Sequence, residues 1–383
     1  MNIKNYIDTE ELKFTVEFIT PCFLGGATGN AEIRTAPFKN LIRRWWRIVN
    51  GNLSPEELWQ KEAELFGSTE KNPKLGKSFG KSKVVVEIIE DESKYSYQRN
   101  NQLRFPEKTI KHPEVSRPMS FETYLGMGPI FWNKEKKITE YKFFPINEFI
   151  PEIRNINPKT RQEIVSDASG YISMILRIPE NERDSFIKIL TYINYFGSIG
   201  SRSRNGWGSI NINPLSDFNL LKPKDIKESS VLWNNLIDVS CDKKYPSAIA
   251  RDEMGLLCWG TPQRNTWEEA MYDAAKIYCA LRTSFKFTGD SKVMSSRHLL
   301  GYPITHHEYD RWPVKNTRLP SQLYIKINMN QGKYRALITH IPNLIPLDGF
   351  TVEKQQTIWT KVHNFLDNYE IEEKKISRFG GAK

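Results

Sequence analysis

The sequence predicts an α+β fold, and three observations support this. The chain has 383 residues, of which 39% are hydrophobic, and this length argues for two domains or for one domain with large insertions. Short segments that alternate apolar and polar side chains indicate half-buried strands. Segments with apolar residues at helical spacing lie between those strands, so each half of the chain contains both kinds of element.

The first half is predicted to begin with a strand and two helices. Leu12–Thr20 alternates apolar and polar residues and is predicted to be a strand. Phe38–Asn50 has helical periodicity and predicts the first helix. The second helix is predicted to begin at Ser54 to Glu57, because Ser54 is a natural N-cap, Pro55 fits the first turn, and two acids suit the positive end of the helix dipole. Lys83–Ile89 then predicts a second strand.

Residues 91–165 are rich in Pro and Asn and weakly patterned, so we interpret them as an insertion. Regular patterns resume with a strand at Gly170–Ile178, an amphipathic helix at Asn181–Phe196 and a strand at Trp207–Ile212. The order β-α-β-β-α-β is that of a ferredoxin-like (RRM-like) domain. An unrelated α+β domain that happens to have this order is the alternative.

The second half has a weaker version of the same kinds of element, after a boundary near residues 214–228. An amphipathic helix is predicted over Thr266–Arg282, a hairpin pairs Leu323–Met329 with Tyr334–Thr339, and a final helix covers Thr351–Tyr369. We therefore predict a ferredoxin-like domain over residues 1–215 with the insertion at 91–165. Residues 216–383 are predicted to form a second, degenerate ferredoxin-like domain.

The composition limits the cellular compartment and the kinds of functional site that the protein can have. The four cysteines form no CxxC pair, which excludes a zinc knuckle and a thioredoxin-type motif and is typical of a reducing compartment. No run approaches the roughly 18 apolar residues that a membrane span needs, and the first residues lack the apolar core of a secretory signal. We predict a cytoplasmic protein without a cofactor. The chain has a net charge of +10, and 12% of its residues are aromatic. Segments in which basic and aromatic residues interleave are therefore candidates for nucleic-acid binding.

The first of three basic segments is Arg34–Arg47, which holds five basic residues, two Trp and no acid. At about 100° per residue, one face is apolar and carries Trp45. Trp46 is predicted to lie between that face and a polar stripe, beside phosphate-binding cations, where it could stack on a base of single-stranded RNA. A surface helix with solvated arginines is the alternative. The stripe consists of Lys39, Arg43, Arg47 and Asn50.

The second basic segment, Lys71–Lys83, contains five Lys and no acid. Its Gly76-Lys77-Ser78 resembles the end of a phosphate-binding P-loop. The first glycine of that motif would fall at Lys71, however, and a strand follows in place of a helix, so we reject nucleotide hydrolysis. The segment is predicted to be a flexible cationic loop that suits backbone phosphates.

The third basic segment is a glycine-rich loop at residues 197–209. Glycine permits positive φ and the close approach of a ligand backbone, and successive N–H groups could bind an anion. We expect this loop to contact RNA; an ordinary mobile connection is the alternative. The loop residues predicted to bind are Gly197, Gly200, Arg202, Arg204 and Asn205.

These segments, in this order, resemble the RAMP superfamily of CRISPR effector proteins, and more narrowly the family of first subunits of the Cmr (type III-B) complex. The match is strong over Thr20–Lys83 and Tyr192–Asn211, and looser over Arg297–Pro303 and Arg318–Ile327. One departure is Asn40, where the family would have glycine. The quoted motifs are TPCFLGG at 20–26, AEIR at 31–34, FK at 38–39, RRWWR at 43–47, LFGS at 65–68 and the glycine-rich loop.

The resemblance implies two fused ferredoxin-like domains and no catalysis in this subunit. It implies binding near the 3′ end of a guide RNA and to the single-stranded target RNA paired there, together with other Cmr subunits. Cleavage and cyclic-nucleotide synthesis would belong to those other subunits. The residues carried over from the family are Arg34, Lys39, Arg43, Arg44, Trp46, Arg47, Arg202 and Arg204, with Lys77 and Lys81 less specific.

Some RAMP relatives are metal-independent endoribonucleases that use a histidine as general acid or base. A stand-alone enzyme of that kind, processing guide RNA, is therefore the alternative function. His306-His307-Glu308 with Asp310 suggests a metal site, but adjacent histidines on extended backbone point to opposite faces, so we predict no metal. The candidate histidines are His112, His298, His306, His307, His340 and His363.

Overall fold

The computed structural model describes most of the chain. The described residues are 9–25, 32–71, 76, 78–89, 108–116, 118–133, 135, 138–141, 154–156, 163–165, 171–234, 248–287, 290–304, 307, 309–312, 318–343 and 350–380. No helix in these ranges is long and apolar enough to cross a membrane.

The described residues form both helices and short strands. The helices are α1 Thr35–Val49, α2 Pro55–Phe66, α3 Phe121–Gly126, α4 Arg183–Phe196, α5 Pro223–Glu228, α6 Trp267–Ser284, α7 Ser296–Leu299 and α8 Val352–Asp367. The strands are β1 Thr9–Phe18, β2 Ser68–Lys71, β3 Ser78–Gly80, β4 Val85–Ile89, β5 Thr109–Ile110, β6 Met119–Ser120, β7 Ile130–Asn133, β8 Ile138–Tyr141, β9 Arg154–Ile156, β10 Glu163–Val165, β11 Tyr171–Pro179, β12 Ile210–Pro214, β13 Val231–Leu232, β14 Ala250–Asp252, β15 Gly255–Leu256, β16 Cys258–Gly260, β17 Leu323–Asn330, β18 Lys333–His340, β19 Glu370–Ile371, β20 Lys374–Lys375 and β21 Ser377–Arg378.

The chain divides into two compact units. The first draws on residues 1–46, 62–104 and 126–220, and the second on residues 47–61, 105–125 and 221–383. Two stretches that precede residue 216 thus belong to the second unit. One of them, residues 105–125, comes from the predicted insertion.

The first unit is built on a four-stranded antiparallel sheet with the strand order β12-β1-β11-β4. Along the chain, the elements are β1, α1, β4, β11, α4 and β12, with further elements between them. Leu12, Phe14 and Val16 alternate along β1 and are at most 1% exposed, so they form the core side of the sheet. On α1, Trp45 packs against Tyr192 and Phe196 of α4, both with ring centroids 6.3 Å away.

The second unit repeats this strand order in a smaller sheet. Its strands are ordered β17-β18-β16-β21, again all antiparallel, and the chain runs β16, α6, β17, β18, α8, β21. If the strands of each sheet are numbered along the chain, both sheets have the order fourth, first, third, second, read from β12 in the first sheet and from β21 in the second. The first and fourth strands of this sheet contain only three and two residues.

The α+β class is confirmed, and the main predicted elements form within a few residues of their predicted bounds. The capping box of α2 forms, because the Ser54 N–H donates to Glu57 Oε2 at 3.1 Å and the Glu57 N–H donates to Ser54 Oγ at 3.3 Å. The prediction of a flexible loop at Lys71–Lys83 is wrong for Ser78–Gly80, which pair with β2 in a bulged antiparallel hairpin, whereas residues 72–75 and 77 lie outside the described residues. The domain boundary at residue 215 stays a prediction.

A buried histidine pair lies in the core of the second unit. His340 and His363 are 0% and 5% exposed, and His340 Nδ1 lies 2.8 Å from His363 Nε2. The Asn343 N–H donates to Gln322 Oε1, so this oxygen is the acceptor for His340 Nε2–H at 3.2 Å. His340 Nδ1 must therefore accept, and His363 Nε2–H must donate. Each ring is neutral and has one defined tautomer.

Burial keeps both histidines neutral. Desolvation, reinforced by the neighbouring His363, lowers the pKa of His340 well below its ordinary value of 6.5. Desolvation, together with the charge of Arg378, lowers the pKa of His363 to about 3, although Asp367 acts in the opposite direction. Protonating either ring would place a charge in the core beside Trp359, whose ring stacks on His340 at 4.0 Å.

Acidification should destabilise the second unit through this pair. The unfolded chain protonates both histidines near pH 6.5, whereas the folded chain does not, so stability is complete above pH 6.5 and is lost as the pH falls towards 3. Each histidine should contribute a slope of about 1.4 kcal/mol per pH unit. Urea denaturation at a series of pH values measures it. The variant His363→Gln keeps an N–H donor but does not titrate, so the slope of the unfolding free energy against pH should fall by the contribution of one proton. An unchanged slope would contradict the assignment.

Candidate nucleic-acid interface

The glycine-rich loop is bonded to the chain that leaves β1. We call residues 19–25 the anchor segment. The Ile19 N–H donates to the Ser209 carbonyl at 2.7 Å, the Gly208 N–H donates to the Pro21 carbonyl at 2.9 Å, and the Ser201 N–H donates to the Phe23 carbonyl at 3.0 Å. Three main-chain bonds, spread over the length of the loop, thus fix it to the anchor segment.

The glycines of the loop make room for the chain's own backbone. A Cβ at Gly208, where φ is +64°, would lie 1.9 Å from the Ile199 carbonyl oxygen. At Gly200, where φ is +88°, a Cβ would lie 2.8 Å from the Phe23 carbonyl oxygen, and at Gly197 it would lie 2.7 Å from the Ile193 carbonyl oxygen. The expectation that these glycines leave space for a ligand backbone is therefore wrong, because this space is occupied.

Buried polar groups complete the attachment. Thr20 Oγ1 donates to the Gly206 carbonyl at 2.7 Å and accepts from the Ser209 N–H at 2.9 Å. Cys22 Sγ donates to the Ile199 carbonyl at 3.3 Å, and burial raises the pKa of this thiol, so it stays protonated. Trp207 is fully buried with its ring 5.2 Å from that of Phe23. The loop is thus a packed structure, unlike the mobile connection of the alternative interpretation.

The anchor segment also positions the start of α1. The Glu32 N–H donates to the Leu24 carbonyl at 3.0 Å, and Arg34 Nη2 donates to the Gly25 carbonyl at 2.6 Å. Consecutive carbonyls, those of Phe23, Leu24 and Gly25, therefore bond first to the loop and then to the residues before the helix. An exposed cation, Arg34, is held next to the chain that holds the loop.

Arg202 is the exposed cation of the loop itself. It has a φ of +58°, and its carbonyl accepts from the Asn205 N–H at 2.8 Å to close a turn. Its Nη2 lies 3.2 Å from where a Cβ would stand on Gly128, so the guanidinium lies against that glycine. The left-handed backbone of Arg202 therefore lies in the loop turn while its side chain packs against Gly128.

The three basic residues of the predicted polar stripe lie on α1, whereas Asn50 follows the end of this helix. Arg43 and Arg47 are exposed, whereas Lys39 and Arg44 are half-buried. Partial burial, and then the nearby charge of Arg43, lowers the pKa of Lys39. Like charges therefore crowd on the first turns of this helix, and a phosphate bound among them would relieve the repulsion.

Arg43 has an acidic partner that the segment itself lacks. Its Nε donates to Glu62 Oε1 on α2 at 2.8 Å, and Glu62 is only 2% exposed. The guanidinium also lies 5.9 Å from the centre of the Phe66 ring. Arg43 thus joins α1 to α2 and is also exposed on the surface. Sequence spacing could not indicate this contact, because Glu62 lies 19 residues away.

Trp46 does not lie at the edge of the stripe, and that prediction is wrong. The side chain is 3% exposed and meets Phe66 of α2 edge-on, with ring centroids 6.0 Å apart. The helix is covered on two adjoining sides, because Trp45 packs against α4 while Trp46 packs against α2. Trp46 therefore offers no ring face to a base, and its size contributes to the core.

The remaining predicted residues divide between the surface and parts that the structure leaves undescribed. Lys81 is exposed after β3, and Arg204 and Asn205 are half-buried in the loop. Lys77 lies outside the described residues. Arg47 is on the last turn of α1 and belongs to the second unit. The predicted cations that the first unit presents on its surface, fully or in part, are Arg34, Lys39, Arg43, Arg44, Lys81, Arg202 and Arg204.

The outer face of the first sheet, the side opposite Leu12 and Phe14, has a different character. Arg177 Nε donates to Glu11 at 2.8 Å, and its Nη1 donates to Glu87 at 2.5 Å, so ion pairs join β11 to both neighbouring strands. RRM domains bind RNA through aromatic side chains on this face. The outward positions whose side chains are described carry no aromatic residue. The cations of α1 and the loop are therefore the better candidates for contacts with RNA.

Comparison with known proteins agrees with the resemblance seen in the sequence. Residues 15–211, which run from β1 through the glycine-rich loop into β12, match the model of the RAMP superfamily. The chain belongs to the RAMP superfamily. It is also 27% identical over 215 residues to the CRISPR system Cmr subunit Cmr1-2 of Pyrococcus furiosus, an alignment that covers 54% of this chain and 97% of that protein. This RAMP protein thus resembles Cmr1 of the type III-B Cmr complex.

Two solved structures are similar at low sequence identity. The crystal structure of Cmr1 from Pyrococcus furiosus in its apo form is 16% identical, with a TM-score of 0.45, covering 88% of this chain and 89% of that one. A chain in the cryo-EM structure of the type III-B Cmr-beta bound to cognate target RNA is 14% identical, with a TM-score of 0.45, covering 93% of this chain and all of that one.

The histidines of this RAMP protein that the structure describes serve mainly to hold its backbone and core. His298 is 3% exposed; its Nδ1 accepts from the Ser295 N–H at 3.0 Å, and its Nε2 lies 3.1 Å from the His307 carbonyl. His112 Nδ1 accepts from the Glu114 N–H at 3.2 Å. Burial lowers the pKa of both rings. His306 and Glu308 lie outside the described residues, and within the described ranges no three metal-ligating side chains cluster.

Gly208→Ala should weaken the attachment of the glycine-rich loop to the anchor segment. The new Cβ would meet the Ile199 carbonyl, so the free energy of unfolding of the first unit should fall by about 1–3 kcal/mol more than in a matched control. Gly80→Ala is that control, since Gly80 also belongs to the first unit, has a positive φ of +81°, and has no heavy atom within 4 Å of its Cβ position. Urea denaturation compares the two. An equal fall in the free energy of unfolding in both variants would show that the close approach of the Ile199 carbonyl does not affect stability.

Arg43→Ala should cost stability through Glu62. Leaving a buried carboxylate without this donor should lower the free energy of unfolding by about 1–3 kcal/mol. In Arg43→Ala/Glu62→Gln the remaining group is neutral, so part of the loss should be recovered. A double-mutant cycle that includes Glu62→Gln measures the coupling, and zero coupling would rule out the pair as a stabilising contact.

Proposed function

We propose that this chain is a non-catalytic RNA-binding subunit of a type III-B CRISPR (Cmr) ribonucleoprotein effector. It binds near the 3′ end of the guide RNA and helps to capture single-stranded target RNA in antiviral defence, beside other Cmr subunits. Membership of the RAMP superfamily and the similarity to a Cmr subunit of a CRISPR system support this assignment. We propose in addition that both units are ferredoxin-like, which the four-stranded antiparallel sheet in each of them supports.

The observation that carries the proposal is the anchor segment with its two cations. Successive carbonyls of residues 23–25 accept from the loop, from the residues before α1 and from Arg34 itself. A side-chain hydrogen bond of Arg34 and backbone hydrogen bonds of the loop that carries Arg202 therefore attach both cations to one short piece of chain. Fixed cations suit a phosphate backbone, because phosphate contacts supply affinity and position without reading sequence.

The contacts available on this surface favour binding without strong sequence preference. Arginine and lysine side chains dominate it, and they form charge-assisted hydrogen bonds with phosphate oxygens. Since Trp46 is buried, stacking on bases does not belong to this surface. Affinity from the first unit therefore depends chiefly on counterion release, and so on salt.

Arg202→Gln and Lys39→Gln should each weaken the binding of single-stranded RNA and reduce its salt dependence. For each phosphate that is no longer neutralised, the slope of log affinity against log salt should become shallower by about 0.7. Fluorescence anisotropy with a labelled oligonucleotide at several salt concentrations measures both quantities. Lys224→Gln is the matched control, because Lys224 is exposed on α5 and paired with Glu228 at 3.8 Å. Salt-independent binding by the unchanged protein would refute the proposal.

The alternative, a stand-alone endoribonuclease, predicts that the pure chain cuts repeat RNA without metal. His298 is a poor candidate for its general acid or base, because both ring nitrogens are engaged and the ring is buried. Incubation with repeat RNA, with and without a divalent metal, separates the two functions. Cleavage that His306→Ala or His307→Ala abolishes would replace the subunit with the enzyme.

A further inference from the structure

Two pairs of stacked rings lie in the connection between α6 and β17 of the second unit. The rings of Phe287 and His307 have centroids 3.7 Å apart and planes inclined by 10°. Those of Tyr302 and Trp312 are 3.9 Å apart and inclined by 12°. All four side chains are partly exposed. We call these four residues the ring platform.

Buried polar contacts hold the Phe287–His307 pair. The carbonyl of His307 lies 3.1 Å from Nε2 of the buried His298, whose Nδ1 accepts from the Ser295 N–H. Since Nδ1 accepts, Nε2 carries the proton and donates to that carbonyl. The guanidinium of Arg297 lies 4.7 Å from the centre of the Phe287 ring, and its Nη1 donates to Glu114 at 2.6 Å.

Main-chain bonds hold the second pair. Tyr302 and Leu319 exchange two backbone hydrogen bonds, of 2.9 and 3.1 Å, so the middle of the connection is joined to the residues that precede β17. The Trp312 N–H donates to the Tyr309 carbonyl at 3.1 Å, and the Tyr309 N–H reaches the Tyr302 hydroxyl at 3.4 Å. Both ring pairs are therefore set in place before any ligand arrives, which reduces the entropy cost of binding.

Cations flank the rings along the chain. Lys286 precedes Phe287, Arg311 precedes Trp312, and Arg318 precedes Leu319, the partner of Tyr302. Lys292 is the fourth. None of these four makes an ion pair with a described residue, whereas one of the nearby acids, Asp310, accepts from Ser291 Oγ at 2.8 Å. Positive charge thus alternates with aromatic rings.

We propose that the ring platform binds the bases of single-stranded RNA, with the four flanking cations on its phosphates. Parallel stacks that end in a partly exposed ring can be extended by one further flat ring, and every nucleobase has such a face. A duplex hides its base faces, so the ligand is single-stranded. The inference rests on the proposed function and deepens it, because it gives the second unit a base-stacking contact that the cationic surface of the first unit lacks.

The test uses the full-length chain and a labelled 12-nucleotide oligouridine, with affinity measured by anisotropy. Trp312→Ala and His307→Ala should each weaken binding by about 5- to 150-fold, the range for the removal of one stacked base. Trp312→Phe should recover part of the loss, since a ring face remains. Phe365→Ala removes a partly exposed ring of α8 in the same unit and should leave affinity unchanged.

Photo-cross-linking of the unchanged chain to a 4-thiouridine oligonucleotide gives a second readout that requires no variant to fold. Cross-linked peptides should map to residues 285–319, and their absence would overturn the platform. Unchanged affinity in Trp312→Ala and His307→Ala, with a loss in Arg202→Gln, would also overturn it while leaving the proposed function standing; a partner protein would then be the occupant. Failure of the unchanged chain to bind RNA at all would overturn both.

Discussion

The approach of the Ile199 carbonyl to Gly208 is the constraint on which the attachment of the glycine-rich loop depends. Only a residue without a Cβ fits there, because a side chain would begin 1.9 Å from that oxygen. With this contact made, the loop can bond to Pro21 and Phe23, and the same piece of chain can bond to the residues before α1. Backbone atoms thus form the framework, and the arginine side chains need only extend from it.

Much of the fold could be predicted from the sequence, because burial of one face imposes a period on strands and helices. The alternation in β1 and the stripe of α1 both follow from that rule, and both are observed. What failed depended on tertiary contacts. Trp46 sits at the border of the apolar face on a helical wheel, and only α2 decides that it is buried. Glu62, the partner of Arg43, lies on that same helix.

The glycine-rich loop shows a different limit. Its composition marked it as special, but composition alone could not say whether the small residues serve a ligand or the chain itself. The two units show that similar sheets can form from sequences that share no visible pattern. Each has a four-stranded antiparallel sheet although no repeat is visible in the sequence, because topology requires a pattern of burial and not particular residues. In both units, moreover, basic residues concentrate between the first helix and the second strand, at Lys71–Lys83 and around the ring platform.

The ion pairs of Arg177 affect whether another copy of the chain can add a strand to the first sheet. In the described sheet β4 is an outermost strand, and its outward side chains include two exposed apolar ones, Val85 and Ile89. Such an edge invites another chain to add a strand. Glu87 stands between them, tied to Arg177, so that an incoming strand would have to desolvate a charge. This one carboxylate therefore opposes the addition of a further strand at β4.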